Sequence, residues 1–309
     1  MARDLRDFLR QVNARIPEQQ VVVEKEIHSK FEVTALLRHL EVENKYPAVL
    51  FENVKSVNGE KSARVYTNVT ADRKRTALAL GEEDWRLPLT KAYGRLGEDP
   101  IPPVTIARHE APVKEEVLTG DAVDMADLPM IYHHEMDGNP YGTMAVLMKK
   151  PDNLGYNLSY HRTMYKSKNR TGIHMSPYDS FNIYTQNERR NEKTPCILVH
   201  GHHPAFFLAC SYRSPWQMDE YAVAGRAMGE ALRLCPSETW GEDFLIPADA
   251  EIVIEGYVLP HVREPEGPFG EWTGITGRKG KIRSLRLRRS IAARITSGMT
   301  PISVIRIVR

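Results

Sequence analysis

The sequence predicts a mixed α/β (α+β) fold in two parts: a small N-terminal α/β domain and a larger region rich in strands. Helical and strand-like segments alternate up to residue 100, where the Pro-rich stretch GEDPIPPV at 97–104 interrupts both periodicities. The segments that follow are mostly of strand length and are bounded by Gly, Pro, Asn or Asp. We therefore expect a small α/β domain at 1–100 and a β-barrel or strongly curved sheet at 101–277.

The first region carries three clear helical patterns. DLRDFLRQVNARI places four apolar residues on one face, Leu5, Phe8, Leu9 and Val12. A second helix is expected in FEVTALLRHLEVE and a third in DRKRTALALG, where Gly81 would end it, while DWRLPLTKAYGRL carries a weaker fourth pattern. The strand-like runs are VVVEKEI, YPAVLFENV and RVYTNV.

The second region contains five segments with β-branched or alternating content: VTIARHEAPVKEEVL, TMAVLMKK, GYNLSYHRTMYKS, TPCILVHG and AEIVIEGYV. One helix is expected among them, in MDEYAVAGRAMGEALRL, because four residues recur at helical spacing: Tyr221, Ala224, Met228 and Leu232.

Composition indicates a water-soluble protein. The chain has 309 residues, of which 41% are apolar and 27% charged, and it contains no long uncharged apolar run. The N-terminal MARDLRDFLRQV carries acidic residues and lacks the apolar segment of a secretory signal, so we expect a cytoplasmic protein. Three cysteines, Cys196, Cys210 and Cys235, fit no zinc spacing and are expected to be reduced, buried thiols.

The C-terminal segment has a different charge balance. After Glu271 there are ten Lys or Arg residues and no Asp or Glu. We therefore treat 278–309 as an atypical basic tail. Two interpretations stay open, a basic arm for nucleic acid and an accidental or truncated C-terminus.

The segment NLSYHR is the first group of residues that could carry chemistry. On a strand, alternation points Asn157, Ser159 and His161 to one face, and Arg162 to the other unless the strand bends. Arg can grip a carboxylate by two hydrogen bonds, and Asn and Ser oxygens can bind a hard cation or a phosphate. A polar strand with a surface arginine is the simpler interpretation of this stretch alone.

Three acidic residues form the other candidates. Glu220 lies in the first turn of a predicted helix, where the helix dipole alone explains a carboxylate. Glu266 and Glu271 flank PFG in a segment that cannot be helical and can bring the two carboxyls together. Two adjacent carboxyls repel as anions, so one can stay protonated and act as an acid. A solvated acidic turn is the alternative.

Taken together, these segments resemble one family. NLSYHR is similar to its N-x-x-x-x-R motif, DEYAVAG to a helix motif, GHHPAFFLA to a G-x-x-P-A segment, and AEIVIEGYV with EGPFGEWTGITG to its last conserved block. With YPAVLFENVKS and LALG, these collinear matches span residues 30–277. The family is that of the UbiD-type decarboxylases, which include aromatic and phenolic acid decarboxylases.

The resemblance implies a fold and a set of site residues. The fold is a small α/β domain followed by a split β-barrel that binds flavin. Arg162, Glu266 and Glu271 would be catalytic, with Arg162 orienting the substrate carboxylate, Glu271 donating the proton and Glu266 supporting both. Asn157, Ser159 and Arg162 would contact prenylated FMN. Asn157 and Glu220 would bind a divalent cation, Mn²⁺ or Mg²⁺, with K⁺ as a further candidate ion.

The implied function is non-oxidative decarboxylation of an aromatic or α,β-unsaturated acid, with hydroxybenzoates such as gallate or vanillate as first candidates. A flavin prenyltransferase would supply the cofactor, and full-length relatives are expected to form homo-oligomers. The family usually continues into another α/β domain, whereas the match here fades after Gly277. An inactive flavin-binding remnant or subunit is therefore one alternative, and a nucleic-acid-binding protein with a basic arm is another.

The sequence departs from the family at one ligand position. A His commonly supplies a further metal ligand after the Asn, but the corresponding positions here hold Tyr178, Ser180 or Phe181, and His174 is the nearest His. The pair His202–His203 belongs to the GHHPAF packing segment and has no third ligand spaced with it, so we expect no metal role for it.

Overall fold

The computed structural model of the protein describes residues 3–86, 89–271, 275–293 and 302–305. The helices are α1 Leu5–Arg15, α2 Glu32–Val42, α3 Arg73–Leu80, α4 Leu89–Gly94, α5 Asp179–Arg189, α6 Pro204–Ala209 and α7 Glu220–Met228. The strands are β1 Gln20–Ile27, β2 Ala48–Lys55, β3 Ser62–Thr67, β4 Val104–Thr105, β5 Glu116–Thr119, β6 Tyr141–Lys149, β7 Tyr156–Ser167, β8 Arg170–Ile173, β9 Thr194–His200, β10 Arg233–Ser237, β11 Gly241–Pro247, β12 Ile252–Glu266, β13 Gly280–Ala293 and β14 Ile302–Ile305.

The N-terminal α/β domain forms as its sequence pattern predicts. Its sheet has the order β1-β2-β3-β14, with β1 parallel and β3 antiparallel to β2. Asp4 caps α1 by accepting a hydrogen bond from the Asp7 N–H at 2.7 Å, and the predicted apolar face of α1 is buried. Helix α3 ends at Gly81, whose φ of 72° is the left-handed conformation of a C-terminal cap.

The strand-rich region forms the predicted barrel. Its main sheet has the order β12-β9-β6-β7-β8-β13-β5, and β12 also pairs with β13, which closes six strands into a barrel. Alternate residues of β6 contribute to a buried cluster with β9 and β12: Met144, Val146, Met148, Leu198 and Ile254. A small sheet, β11-β10-β4, lies outside the barrel.

Three local predictions for this region were wrong. The helix predicted to reach Leu232 ends at Met228, because Gly229 adopts a φ of 72° and stops it, and the chain then enters β10. Helices α5 and α6 occupy segments where no helix was predicted. The long strand expected in VTIARHEAPVKEEVL is reduced to β4 and β5, which are separated by short helical turns.

The basic C-terminal segment contributes a barrel strand. β13 pairs with β8 and β5 and runs antiparallel along β12, so the sheet extends past residue 277, where we had ended the central domain. Three of its apolar residues, Ile282, Leu285 and Leu287, are buried. Up to Ala293 this segment is therefore paired rather than a free arm. The tail residues 294–301 and 306–309, and residues 272–274 of the EGPFGEWTG block, lie outside the described residues.

Two predictions from composition can be compared with the fold. Cys196, Cys210 and Cys235 are buried free thiols, as expected. Within the described ranges, no helix combines the length and the apolar character needed to cross a membrane.

Candidate active site

The centre of the site is a guanidinium held by two carboxylates. Arg162 lies on β7 opposite Thr143 of β6, and its side chain reaches the turn that follows β12. Arg162 Nε and Nη2 donate to the two oxygens of Glu266 at 2.8 and 3.1 Å, and Nη1 donates to Glu271 Oε1 at 2.6 Å. The structure thus brings together the three residues that the family resemblance singles out. The two carboxylates do converge, but through a shared arginine.

Burial distinguishes the two carboxylates. The Glu266 side chain is 3% exposed and that of Arg162 17%, whereas Glu271 is 39% exposed. Burial alone lowers the pKa of Arg162, but its hydrogen bonds and ion pairs with Glu266 and Glu271 outweigh this effect and leave the pKa above its usual value. Arg162 is therefore a permanent cation, Glu266 its buried counter-ion, and Glu271 the partner that a ligand can reach.

Tyr141 fixes the turn that carries these carboxylates. Its hydroxyl donates to Glu266 Oε1 at 3.1 Å and accepts the Gly267 N–H at 3.1 Å, and burial together with Glu266 raises its pKa. Its ring packs edge-on against Phe269, over which the Arg162 guanidinium stacks at 4.7 Å from the ring centroid. Sequence reasoning missed Tyr141, because nothing in the local pattern links the start of β6 to a turn so distant in the chain.

A cavity of about 180 Å³ opens beside this group. It is lined by Thr143, Tyr160, His161, Arg162, His174, Ser176, Phe269 and Glu271. An apolar cavity of about 150 Å³ in another protein holds benzene, so this volume is sufficient for one aromatic ring. The cavity therefore offers a cation, an accessible carboxylate and aromatic side chains to a ligand of single-ring size.

His161 and His174 also line the cavity. Sequence reasoning did not assign either of these histidines to the site. Burial and the neighbouring His174 lower the pKa of His161 to about 4, and burial and Arg162 lower the pKa of His174. Both imidazoles are therefore neutral near physiological pH. His161 Nε2 has no hydrogen-bond partner among the described residues, so a ligand heteroatom can supply one.

Asn157 and Glu220, the two predicted metal ligands, are in contact. Asn157 Nδ2 donates to Glu220 Oε2 at 3.0 Å, and the same oxygen accepts the Leu158 N–H at 2.5 Å. Ser214 Oγ donates to the other oxygen, Oε1, at 2.6 Å. Burial raises the pKa of Glu220, while Ser214 and the Leu158 N–H oppose that shift. These bonds fasten the start of α7 to β7.

The surroundings of this pair do not fit a divalent cation. Asn157 Oδ1 accepts a hydrogen bond from Ser180 Oγ at 2.6 Å, and Ser180 also contacts Ser159 Oγ at 2.7 Å. The Lys150 ammonium lies 3.9 Å from Glu220 Oε1. In the part of the chain that the structure describes, no cluster of three His, Cys, Asp or Glu side chains is arranged to hold a metal. The predicted ligand oxygens are bonded within the protein, and we derive no step through a cation.

The fold and the site define a class of protein. A closed barrel holds an arginine between a buried and an accessible carboxylate, beside a cavity of single-ring size. A concave site with a few convergent polar groups is typical of a protein that binds a small molecule. Residues 104–294 match the 3-octaprenyl-4-hydroxybenzoate carboxy-lyase Rift-related domain, and residues 15–90 match the N-terminal domain of the same family. The chain belongs to the UbiD family.

Individual relatives agree with this assignment. The chain is 30% identical to a phenolic acid decarboxylase of Bacillus subtilis (strain 168) over 286 residues, which are 88% of this chain and 58% of that protein. The UbiD-class enzyme HmfF from Pelotomaculum thermopropionicum, solved in complex with FMN, is 30% identical with a TM-score of 0.87, over 98% of this chain and 65% of that one. The vanillic acid decarboxylase of Sedimentibacter hydroxybenzoicus in its closed form is 26% identical, with a TM-score of 0.88. The match covers 100% of this chain and 64% of that one. The chain thus spans 58% of the length of that curated Bacillus relative.

Proposed function

We propose that the protein is a UbiD-type non-oxidative decarboxylase of an aromatic or α,β-unsaturated carboxylic acid that uses prenylated FMN. The observation that carries this proposal is the Arg162 guanidinium bound at once to buried Glu266 and accessible Glu271 beside the cavity. Decarboxylase relatives and an FMN-bound structural neighbour support it.

Arg162 binds the substrate carboxylate in this proposal. Its bond to Glu271 is the one that a ligand can replace, since Glu266 is buried and grips the guanidinium through two bonds. A carboxylate that enters the cavity therefore takes the place of Glu271 on Arg162. Glu271 is then released from its cation, takes up a proton from solvent, and delivers it to the carbon that CO₂ has left.

The flavin site is proposed along β7, at Asn157, Ser159 and Arg162. Prenylated FMN would supply the electron sink for the carbon that loses CO₂. Arg162 and Ser159 offer a cation and a hydroxyl to the cofactor, and His161 Nε2 lacks a partner among the described residues. The cavity of about 180 Å³ is the proposed place of the single-ring substrate. The divalent cation and the K⁺ that the family resemblance implies receive no role, because the oxygens of Asn157 and Glu220 are bonded within the protein.

The substrate, partners and location are parts of the same proposal. A cavity of about 180 Å³ favours a single-ring acid, and hydroxybenzoates such as gallate or vanillate are the first to test. A flavin prenyltransferase would supply the cofactor, and the assembly is proposed to be a homo-oligomer. Three buried free thiols support a reducing compartment such as the cytoplasm.

Replacing Glu271 by Gln tests the assignment of the acid. Loss of a general acid costs about 10²- to 10⁴-fold in rate. We therefore expect CO₂ release from a panel of aromatic acids to fall by that factor, while the absorbance of bound prenylated flavin is unchanged. A variant that decarboxylates at the wild-type rate would show that Glu271 is not the proton donor.

The same reconstitution separates the alternatives. Wild-type protein that takes up flavin without releasing CO₂ would be a flavin-binding subunit rather than an enzyme. Steeply salt-dependent binding to DNA without flavin uptake would favour the nucleic-acid interpretation. That interpretation already loses support, since the basic residues between Gly280 and Ala293 belong to a paired strand.

A further inference from the structure

Asp137 contacts the carboxylate-bearing turn at Gly270. It lies in the loop before β6 and is 3% exposed. Its Oδ1 accepts the Gly270 N–H at 2.8 Å and its Oδ2 accepts the His134 N–H at 3.0 Å. Its backbone carbonyl accepts a hydrogen bond from the Tyr132 hydroxyl. The carboxylate thus joins its own loop to the residue directly before Glu271.

The backbones of the loop and the turn are packed closely at two further points. The Gly138 N–H donates to the Pro268 carbonyl at 2.8 Å. A Cβ atom at Gly138 would overlap the carbonyl oxygen of Gly267, and one at Gly270 would overlap the ring of His134. A side chain at Gly138 would clash with backbone, and one at Gly270 would require the His134 ring to move. The loop and the turn are therefore in close contact at these two glycines.

Glu271 depends on this contact for its direction. Two backbone hydrogen bonds flank this residue: the Glu271 N–H donates to the Ile275 carbonyl at 3.0 Å, and the Gly277 N–H donates to the Phe269 carbonyl at 2.7 Å. Gly270 lies four residues after the end of β12 and ten before the start of β13. The Asp137 bond holds the backbone at Gly270, and the Tyr141 hydroxyl holds the start of the turn through Gly267 and Glu266.

The charge of Asp137 makes this contact costly. Among the described residues, no Lys, Arg or His forms an ion pair with this carboxylate, and its hydrogen bonds come from backbone N–H groups. Burial of a carboxylate without a cation is unfavourable unless hydrogen bonds compensate for the lost hydration. A carboxylate offers two acceptor oxygens where an amide offers one, so the aspartate can bond the Gly270 and His134 N–H groups at once.

We propose that Asp137 is a positioning residue of the decarboxylation site. It holds the turn so that Glu271 reaches both Arg162 and the cavity. This inference rests on the proposed function, because Asp137 would affect the reaction only by positioning Glu271, the proposed proton donor.

The test compares Asp137→Asn and Asp137→Ala with Asp4→Asn. Asp4 is a matched control, since it is a carboxylate of 6% exposure that accepts a backbone N–H, but in the N-terminal domain. A displacement of the catalytic group by about 1 Å can cost about 10²-fold in rate. We expect kcat to fall by about that factor in Asp137→Ala and by about tenfold in Asp137→Asn, which keeps one acceptor. KM and bound-flavin absorbance should stay unchanged.

A second measurement isolates the proton transfer. Exchange of the product C–H hydrogen with deuterated solvent requires the acid but no net loss of CO₂, so it should slow in parallel with kcat in the Asp137 variants and stay normal in Asp4→Asn. If Asp137→Asn had the same exchange rate and the same kcat as the wild type, the inference would be overturned. Equal losses in Asp4→Asn would do so as well, because they would indicate general destabilisation.

A crystal structure of cofactor-free Asp137→Asn provides a test without activity. We expect the distance from Arg162 Nη1 to Glu271 Oε1 to increase from 2.6 Å. An unchanged distance would refute the positioning role. An inactive wild type, or an active Glu271→Gln variant, would refute the proposed function instead, so the two failures are distinguishable.

Discussion

Replacement of Glu266 by Gln tests how much the buried ion pair contributes to the barrel. The change keeps the shape of the side chain but removes a charge that Arg162 binds at 2.8 and 3.1 Å. Breaking a buried pair from one side costs about 3–5 kcal/mol. Glu271 remains as a counter-ion and the Gln oxygen can still accept one hydrogen bond. We therefore expect the free energy of unfolding to fall by about 2–3 kcal/mol.

Urea denaturation followed by tryptophan fluorescence measures this difference, provided that the dependence on urea has the same slope in both proteins. Glu264→Gln is the matched control on the same strand. Glu264 pairs with Arg170 at 3.4 Å, but Arg170 is 42% exposed, and such surface pairs contribute about 0–1 kcal/mol. If both variants lost less than about 1 kcal/mol, the inference that Glu266 is the essential buried counter-ion would be refuted.

Two pH-dependent effects follow from buried or paired groups elsewhere. The Arg263 hydrogen bond lowers the pKa of Glu188 from 4.5 to about 2. The ionised Glu188 therefore stabilises the folded state fully above pH 4.5, and this stabilisation is lost as the pH falls to about 2. Glu188→Gln should unfold at a lower temperature than wild type near neutral pH, and the difference should vanish at about pH 2. Burial lowers the pKa of His200 to about 4, so acidification from 6.5 to about 4 destabilises the folded state. The melting temperature of His200→Leu should depend less on pH over that interval than the melting temperature of the wild type. An unchanged pH dependence would contradict the argument.

The elements with strong local patterns were predictable. Helix α1 shows four apolar residues at helical spacing and an aspartate at its cap, and each of these signals lies within the segment itself. Gly81 ended α3 where expected, because a residue in the left-handed conformation at a helix end is usually glycine. Arg162, Glu266 and Glu271 were proposed as site residues through a family resemblance. Their local patterns alone allowed a surface arginine and a solvated acidic turn.

The missed features depend on contacts between distant parts of the chain. Tyr141 bonds to a carboxylate 125 residues away, and Asp137 to a backbone N–H 133 residues away, so no local period records either. β13 was hidden by its charge, because a count of basic residues ignores the apolar side chains that lie between them. The surroundings of the predicted metal pair, Asn157 and Glu220, were also unpredictable, because Ser180 and Lys150 approach it only in three dimensions.

Closure of the barrel by β13 also has a consequence for biosynthesis. Until the ribosome has released residues 280–293, the partners of β13 on β8 and β12 present unpaired backbone edges. Arg162 and Glu266 are 104 residues apart in sequence, and such long-range pairing forms slowly. Closure of the barrel, and with it the contact between Arg162 and Glu266, must therefore wait until this last strand is available.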